Sequence, residues 1–200
     1  MVNWHLILGI ISGALAVAAV IPYVKDILHG STRPNIVSWG LWVLLLLISI
    51  FAQISAGASW SLVFLIGDLV GTSLILVLCL VGYGYQEYGW LEGVCLLLAV
   101  IAIVSWQLTR QPLLAIIFAI IADLMASIPT VVKAYRDPRS EHPASWFVVV
   151  LAAALGLLST TIVNPANLIF PAYVLLINGL IGSLALMGRL NQKRSGEKEG

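Results

Sequence analysis

Charged residues are scarce in this sequence. Only 10% of its 200 residues are charged and 60% are hydrophobic, whereas a soluble domain usually has about 25% charged residues. So few charged side chains cannot cover a surface that faces water, which excludes a soluble globular domain. The mean hydropathy of +1.03 leads us to expect an integral membrane protein. It should be all-α, because a lone strand would leave backbone groups unpaired in lipid.

Residues that hold metals, cofactors or nucleic acids are also few. Cys79 and Cys95 lie inside apolar segments, and their spacing fits neither a metal site nor a disulfide framework. The basic residues are scattered and form no patch for nucleic acid. We therefore expect no metal, no cofactor and no nucleic-acid partner. The stretch Met1–His5 has no Lys or Arg, so the basic start of a signal peptide is not visible.

The apolar residues are gathered into seven segments, most of them near the roughly 20 residues that cross a bilayer. Each is expected to be one membrane-spanning helix, so the chain should be a multi-pass protein with the lipid bilayer as its first partner. The segments are approximately Leu6–Leu28, Ser38–Ile54, Trp60–Gly82, Trp90–Leu108, Pro112–Tyr135, Ser145–Ile162 and Leu168–Leu190.

One sequence pattern occurs twice. Ile21-Pro22 is followed by a short basic segment and then by Ser38-Trp39, and the same order returns at one constant offset as Ile128-Pro129 and Ser145-Trp146. Each copy lies between two apolar segments. Self-similarity at a fixed offset indicates an internal repeat.

The basic residues predict the orientation in the membrane. All of them except Arg110 fall on one side, and the positive-inside rule places that side in the cytoplasm. The N-terminus is then outside and the C-terminus cytoplasmic, in a plasma or inner membrane. The residues on the cytoplasmic side are Lys25, Arg33, Lys133, Arg136, Arg139, Arg189, Lys193, Arg194 and Lys198.

The two basic loops also predict the architecture. A unit of three helices reverses the side on which the next unit starts, so one extra crossing is needed to return the second basic loop to the cytoplasm. The sequence therefore predicts a three-helix bundle (1–84), an inversion linker helix (85–110), a second, parallel bundle (111–190) and a disordered cytoplasmic tail (191–200). Parallel repeats of this kind are typical of transporters.

This 3-1-3 layout, with Pro22 and Pro129 in the first helix of each bundle and a basic loop after each, resembles the SWEET and PQ-loop transporter superfamily, as a bacterial-type seven-helix member. The residues after the prolines are Tyr23 and Thr130 rather than the Gln of the Pro-Gln signature. The resemblance implies alternating access, with a sugar, amino acid or related small solute bound between the bundles. A membrane receptor or sensor with the same fold is the alternative, and homo-oligomer formation stays open.

Two carboxylates and one amide reach the middle of the predicted helices: Asp68, Asp123 and Asn178. A charge at that depth costs about 2.5–3.5 kcal/mol on insertion scales, and such residues usually face a cavity or a partner. Asp68 and Asn178 stand at matching places in the third helices, where SWEETs carry two asparagines that contact the sugar. The resemblance therefore assigns both to substrate binding. Asp68 would favour a cationic or zwitterionic solute, or a coupled proton.

Asp123 has no counterpart in the first copy, where Ala16 stands. We predict either proton coupling or a pairing with a buried donor such as Asn178. Asp68 likewise either binds the solute or a proton, or forms a hydrogen bond with a neighbouring helix.

The remaining predicted site residues are hydroxyls, one amide and two prolines. Ser49 and Ser159 resemble the pocket residues of the second helices in SWEETs, and Gln53 is a nearby alternative, although membrane hydroxyls often bond their own backbone. Pro22 and Pro129 are predicted hinges. No nucleophile–base pair or His-Glu-x-x-His motif is present at mid-depth, so we do not expect an enzyme.

Overall fold

The protein is described here from a computed structural model. The structure describes residues 3–30, 33–57, 59–86, 89–138, 141 and 143–199, which contain helices and no strand. The helices are α1 Trp4–Ala19, α2 Ile21–Leu28, α3 Ile36–Ser55, α4 Leu62–Leu78 with a π-helical turn at Cys79–Tyr83, α5 Trp90–Thr109, α6 Pro112–Arg136, α7 Pro143–Leu158 and α8 Pro165–Glu199.

Five helices are long and apolar enough to cross a membrane. Two further apolar helices, Gly93–Thr109 and Pro143–Leu158, are shorter. The prediction of an all-α membrane protein is confirmed at this level. The five long spans are Trp4–Leu28, Ile36–Ser55, Leu62–Tyr83, Pro112–Arg136 and Pro165–Asn191.

The two prolines of the sequence repeat lie in different backbone settings. The first apolar helix is interrupted at Val20, and Pro22 falls in the first turn of α2, where its missing N–H costs no helical hydrogen bond. The helix α6 instead runs without a break through Pro129 to Arg136. The hinge role of both prolines stays a prediction.

The C-terminal segment differs from its prediction. Residues 191–200 are predicted to be disordered, yet α8 continues to Glu199. Gln, Lys, Arg and Glu are good helix formers, so a polar sequence joined to an existing helix extends it without a new nucleation step. Arg139, which enters the basic count above, lies outside the described residues.

The helices before and after α5 pack in the same order. In the first half of the chain (α1–α4), α4 packs against both α1 and α3. In the second half (α6–α8), α8 packs against both α6 and α7. The halves meet where α1 packs against α7 and α3 against α6, and α5 lies against α6 and α3. Exchanging the halves therefore leaves the contacts among α1, α3, α4, α6, α7 and α8 unchanged, whereas the contacts of α5 do not follow this exchange.

Glycines bring α1 and α4 close together. A Cβ added at Gly13 would lie 2.7 Å from the backbone oxygen of Val63, and one at Gly9 would lie 2.8 Å from that of Trp60. Gly67 stands directly against the backbone of Gly13. Small residues at such crossings let membrane helices approach closely, and this contact fixes the helix that carries Asp68.

Connections at the two ends of the molecule are distinct. At one end, Ile36 N donates to Tyr85 O (2.9 Å), and Arg189 Nε donates to Pro138 O (3.1 Å). We call this the basic end. The other end carries the α3–α4 and α7–α8 loops, and we call it the opposite end.

Candidate functional site

A cavity of about 450 Å³ lies between the two halves of the protein. It opens at the basic end, where the exposed Arg33 and Tyr85 belong to its lining. It reaches inward to Leu45, Leu46 and Phe170. Since Leu46 is ten residues into α3, the cavity is roughly 15 Å deep along that helix.

The lining uses related positions from both copies of the repeat. Each pair holds the same place in its own copy, so the cavity lies on the axis that relates the halves. The pairs are Ala16 and Asp123, Tyr23 and Thr130, Ser38 and Ser145, and Trp39 and Trp146.

Asp68, Asp123 and Asn178 all line this cavity. Each is half-buried, and the carboxylates of Asp68 and Asp123 are near enough to interact electrostatically. The structure therefore brings together, from α4, α6 and α8, the three polar groups found at mid-depth in the sequence.

Asp123 has a partner that the sequence analysis did not name. The hydroxyl of Tyr173 on α8 donates to Asp123 Oδ2 at 2.5 Å. The other candidate donor, Asn178, instead donates from Nδ2 to Val174 O in its own helix at 2.8 Å. Asp123 is thus hydrogen-bonded by the phenol of Tyr173 and by Ser127, whose hydroxyl also donates to the Asp123 backbone oxygen at 2.8 Å.

Asp68 differs from Asp123 in its surroundings. Among the described residues no side chain donates a hydrogen bond to its carboxylate, and the charged group that it senses is Asp123. A proton or a cation beside Asp68 would offset the repulsion between the two carboxylates.

Aromatic rings surround the path to these carboxylates. Trp39 and Trp42 pack edge to face with ring centroids 4.9 Å apart and an interplanar angle of 89°. Tyr23 lies 5.4 Å from Trp39. Together with Trp146 and Phe170, these rings form apolar walls around an acidic centre.

The mouth of the cavity carries more charge. Asp26 and Arg33 from the first half and Glu141 from the second half belong to its lining. The indole nitrogen of Trp146 donates to Glu141 Oε2 at 3.2 Å. Within the described lining, four carboxylates therefore stand against one guanidinium, and no basic residue of that lining lies beside the two carboxylates at the centre.

The opposite end is closed by hydrogen bonds between the two halves. Ser59 Oγ, from the α3–α4 loop, accepts from Thr161 N at 2.7 Å and lies 3.3 Å from Thr161 Oγ1. Asn164 Nδ2 donates to Ala56 O at 3.1 Å. Asn167 Nδ2 donates to Gly57 O at 3.0 Å. We call this set of contacts the seal.

Three residues predicted to bind substrate lie outside this lining. Ser49 Oγ donates to Leu45 O at 2.9 Å, and Ser159 Oγ donates to Gly156 O at 2.7 Å. Gln53 is fully buried and its side-chain amide has no hydrogen-bond partner among the described residues. In the sequence, all three lie between a residue of the cavity lining and a residue of the seal. Their contact with a solute stays a prediction.

Sequence reasoning missed Tyr173 and the asparagines of the seal. In the sequence, nothing distinguishes Tyr173 from other residues near the start of the last predicted helix. Asn164 and Asn167 flank Pro165, at the start of α8, where Asn is common as a helix cap. The available signal was that Ser59 and Asn164 occur in the corresponding loops of the two repeats.

Comparison of the chain with protein-family models, with curated proteins and with solved structures found no match.

Proposed function

We propose that this protein is a small-solute membrane transporter that works by alternating access, with the solute bound in the cavity between its two halves. The observation that carries the proposal is the asymmetry along the cavity axis. One end is open to the site, and the other is closed by contacts that join the two halves directly.

The seal supports alternating access because it joins the corresponding loops of the two halves. The α3–α4 loop of the first half bonds the α7–α8 loop of the second half, so opening this end requires the halves to move apart. Buried Gln53 precedes the seal, and its side-chain amide has no hydrogen-bond partner among the described residues. An unsatisfied buried polar group costs about 1–3 kcal/mol, and this cost favours a second state in which the end is open.

The architecture that we propose is the 3-1-3 arrangement of the SWEET and PQ-loop type. The exchangeable packing order of the halves and the position of α5 outside both halves support it. On this proposal the basic end is cytoplasmic, in keeping with the positive-inside rule, and the structure corresponds to an inward-open state.

The roles of the polar residues follow from their surroundings. Asp68 and Asn178 bind the solute, since both face the cavity and Asp68 has no donor from the described chain. Asp123, held by Tyr173, takes part in the same site and is the second candidate for proton coupling. Rocking of the halves then exposes the site to each side in turn.

Flux through the purified protein in liposomes tests the proposal. Radiolabelled glucose, alanine and choline, one from each charge class, are added outside vesicles loaded with the same unlabelled compound. Saturable exchange of at least one of them above that of empty vesicles is expected. A folded protein that binds one of the three and moves none would contradict transport and favour a receptor.

A further inference from the structure

The charged residues inside the cavity indicate which class of solute it accepts. Asp68 and Asp123 lie at its centre, Asp26 and Glu141 lie nearer its mouth, and Arg33 is the single basic residue of the described lining. Charges in a cleft with apolar walls act together and concentrate ions of opposite sign. An anionic solute would meet repulsion from Asp68 and Asp123 at the centre of the cavity.

The hydrogen-bonding groups at the centre point to the same class of solute. Asp68 offers acceptor oxygens without a donor among the described residues, and the Asn178 amide donates one of its two N–H groups to Val174 O. Asp123 already accepts from Tyr173. The centre therefore presents negative charge and acceptor oxygens, and hydroxyl groups such as those of Thr72, Thr130 and Ser145 line the same cavity.

The aromatic walls complete the site. Trp39, Trp42 and Trp146 line the same cavity, with Tyr23 packed on Trp39. An ammonium group over the face of such a ring is attracted by the negative charge of that face, and cages of aromatic rings recognise alkylated ammonium groups. Carboxylates in the centre of a cavity walled by three indoles form a surface that is complementary to a cation with an apolar shell.

We infer that the cavity is a binding site for an organic ammonium ion, which Asp68 and Asp123 neutralise and the indoles of Trp39, Trp42 and Trp146 enclose. This inference rests on the proposed function, because it names the solute class that the transporter takes. It distinguishes this site from a sugar site by charge, and from a zwitterion site by the absence of a basic group from the described centre.

Three compounds of nearly the same size test the inference. Choline carries the positive charge, 3,3-dimethylbutan-1-ol is its neutral carbon analogue, and glycine betaine adds a carboxylate to the cation. Binding to the full-length protein in detergent is measured by calorimetry. We expect choline to bind at least about tenfold more tightly than either of the others, which corresponds to about 1.4 kcal/mol.

Variants then locate the charge that is responsible. Asp68→Asn is expected to weaken choline binding by more than about tenfold, whereas Asp137→Asn, which removes an exposed carboxylate outside the lining, is expected to leave it unchanged. Asn178→Asp adds a carboxylate to the same cavity and is expected to tighten choline binding. If Asp68→Asn does not fold, Asn178→Asp still tests whether the charge in the cavity determines choline binding.

The outcomes separate the inference from the proposed function. The inference would be wrong if choline and its neutral analogue bound equally tightly. It would also be wrong if neither Asp68→Asn nor Asn178→Asp changed the affinity for choline. If glucose exchanges through the liposomes under those conditions, the proposed function stands without it. Choline binding that is lost in Asp68→Asn, but without flux of any probe, would support the ammonium site and overturn transport.

Discussion

The Tyr173 hydroxyl donates a hydrogen bond of 2.5 Å to Asp123 Oδ2 and so joins α8 to α6 beside the cavity. The bond ties one carboxylate of the site to the helix that also carries Asn178. Hydrogen bonds to charged groups are the stronger ones in proteins, and this one fixes the direction in which Asp123 faces.

Removal of this hydroxyl should weaken the site without dismantling it. We expect Tyr173→Phe to lower choline affinity about tenfold, or about 1.4 kcal/mol, because Asp123 is then no longer held in its direction towards the cavity. Calorimetry of the variant measures the effect. The control is the double variant with Asp123→Asn, in which the tyrosine change should add little. Equal losses in both backgrounds would show that Tyr173 acts elsewhere.

Cation binding should depend on pH in one direction. Protons and an ammonium ion compete for Asp68, so choline affinity is expected to fall as the buffer is made more acidic. The other charged or titratable groups in the described lining are Asp123 from α6, Asp26 and Tyr23 from α2, and Arg33, Tyr85 and Glu141 at the mouth.

Titration of choline binding from mildly alkaline to mildly acidic buffer checks this direction. The double variant Asp68→Asn, Asp123→Asn is expected to lose most of the pH dependence along with the affinity. Choline affinity that rises on acidification would contradict a site in which carboxylates hold the cation.

The sequence predicts the helices of this protein better than its site. Apolar segments locate the spans because lipid leaves few alternatives to a helix. Asp68, Asp123 and Asn178 stand out because polar groups are costly at that depth. The repeated sequence pattern predicts two loops, yet Trp39 and Trp146, which belong to this pattern, line the cavity. Which face of a helix meets the axis depends on packing between distant segments.

The hydrogen-bond partners could not be predicted for the same reason. Ser49 and Ser159 stand at promising spacings, but both hydroxyls bond carbonyls of their own helices, as single hydroxyls in membrane helices often do. The contacts of Tyr173 and Ser59 cross between segments that are far apart in the chain. No local spacing encodes such a pairing.

The close crossing of α1 and α4 predicts a stability effect at Gly13. An added methyl group would lie 2.7 Å from Val63 O, so Gly13→Ala should destabilise the protein by about 1–3 kcal/mol. Gly40→Ala is the matched control, because a Cβ there meets nothing within 4 Å and alanine favours the helix. Thermal unfolding in detergent compares them, and equal midpoints would contradict the close packing.

The seal predicts how transport can be stopped with binding left intact. Ser59 Oγ and Thr161 Oγ1 lie 3.3 Å apart, so cysteines at both positions are close enough to be tested for a disulfide. Oxidation of the double variant is expected to abolish choline exchange in liposomes, because the opposite end can no longer open, while choline still binds from the basic end.

Two controls accompany this disulfide. The native Cys79 and Cys95 are buried, and each single-cysteine variant should exchange choline before and after oxidation. Reduction of the double variant should restore exchange, which separates locking from misfolding. Full exchange by the oxidised, cross-linked protein would mean that the halves need not part at the seal, and alternating access through this end would be wrong.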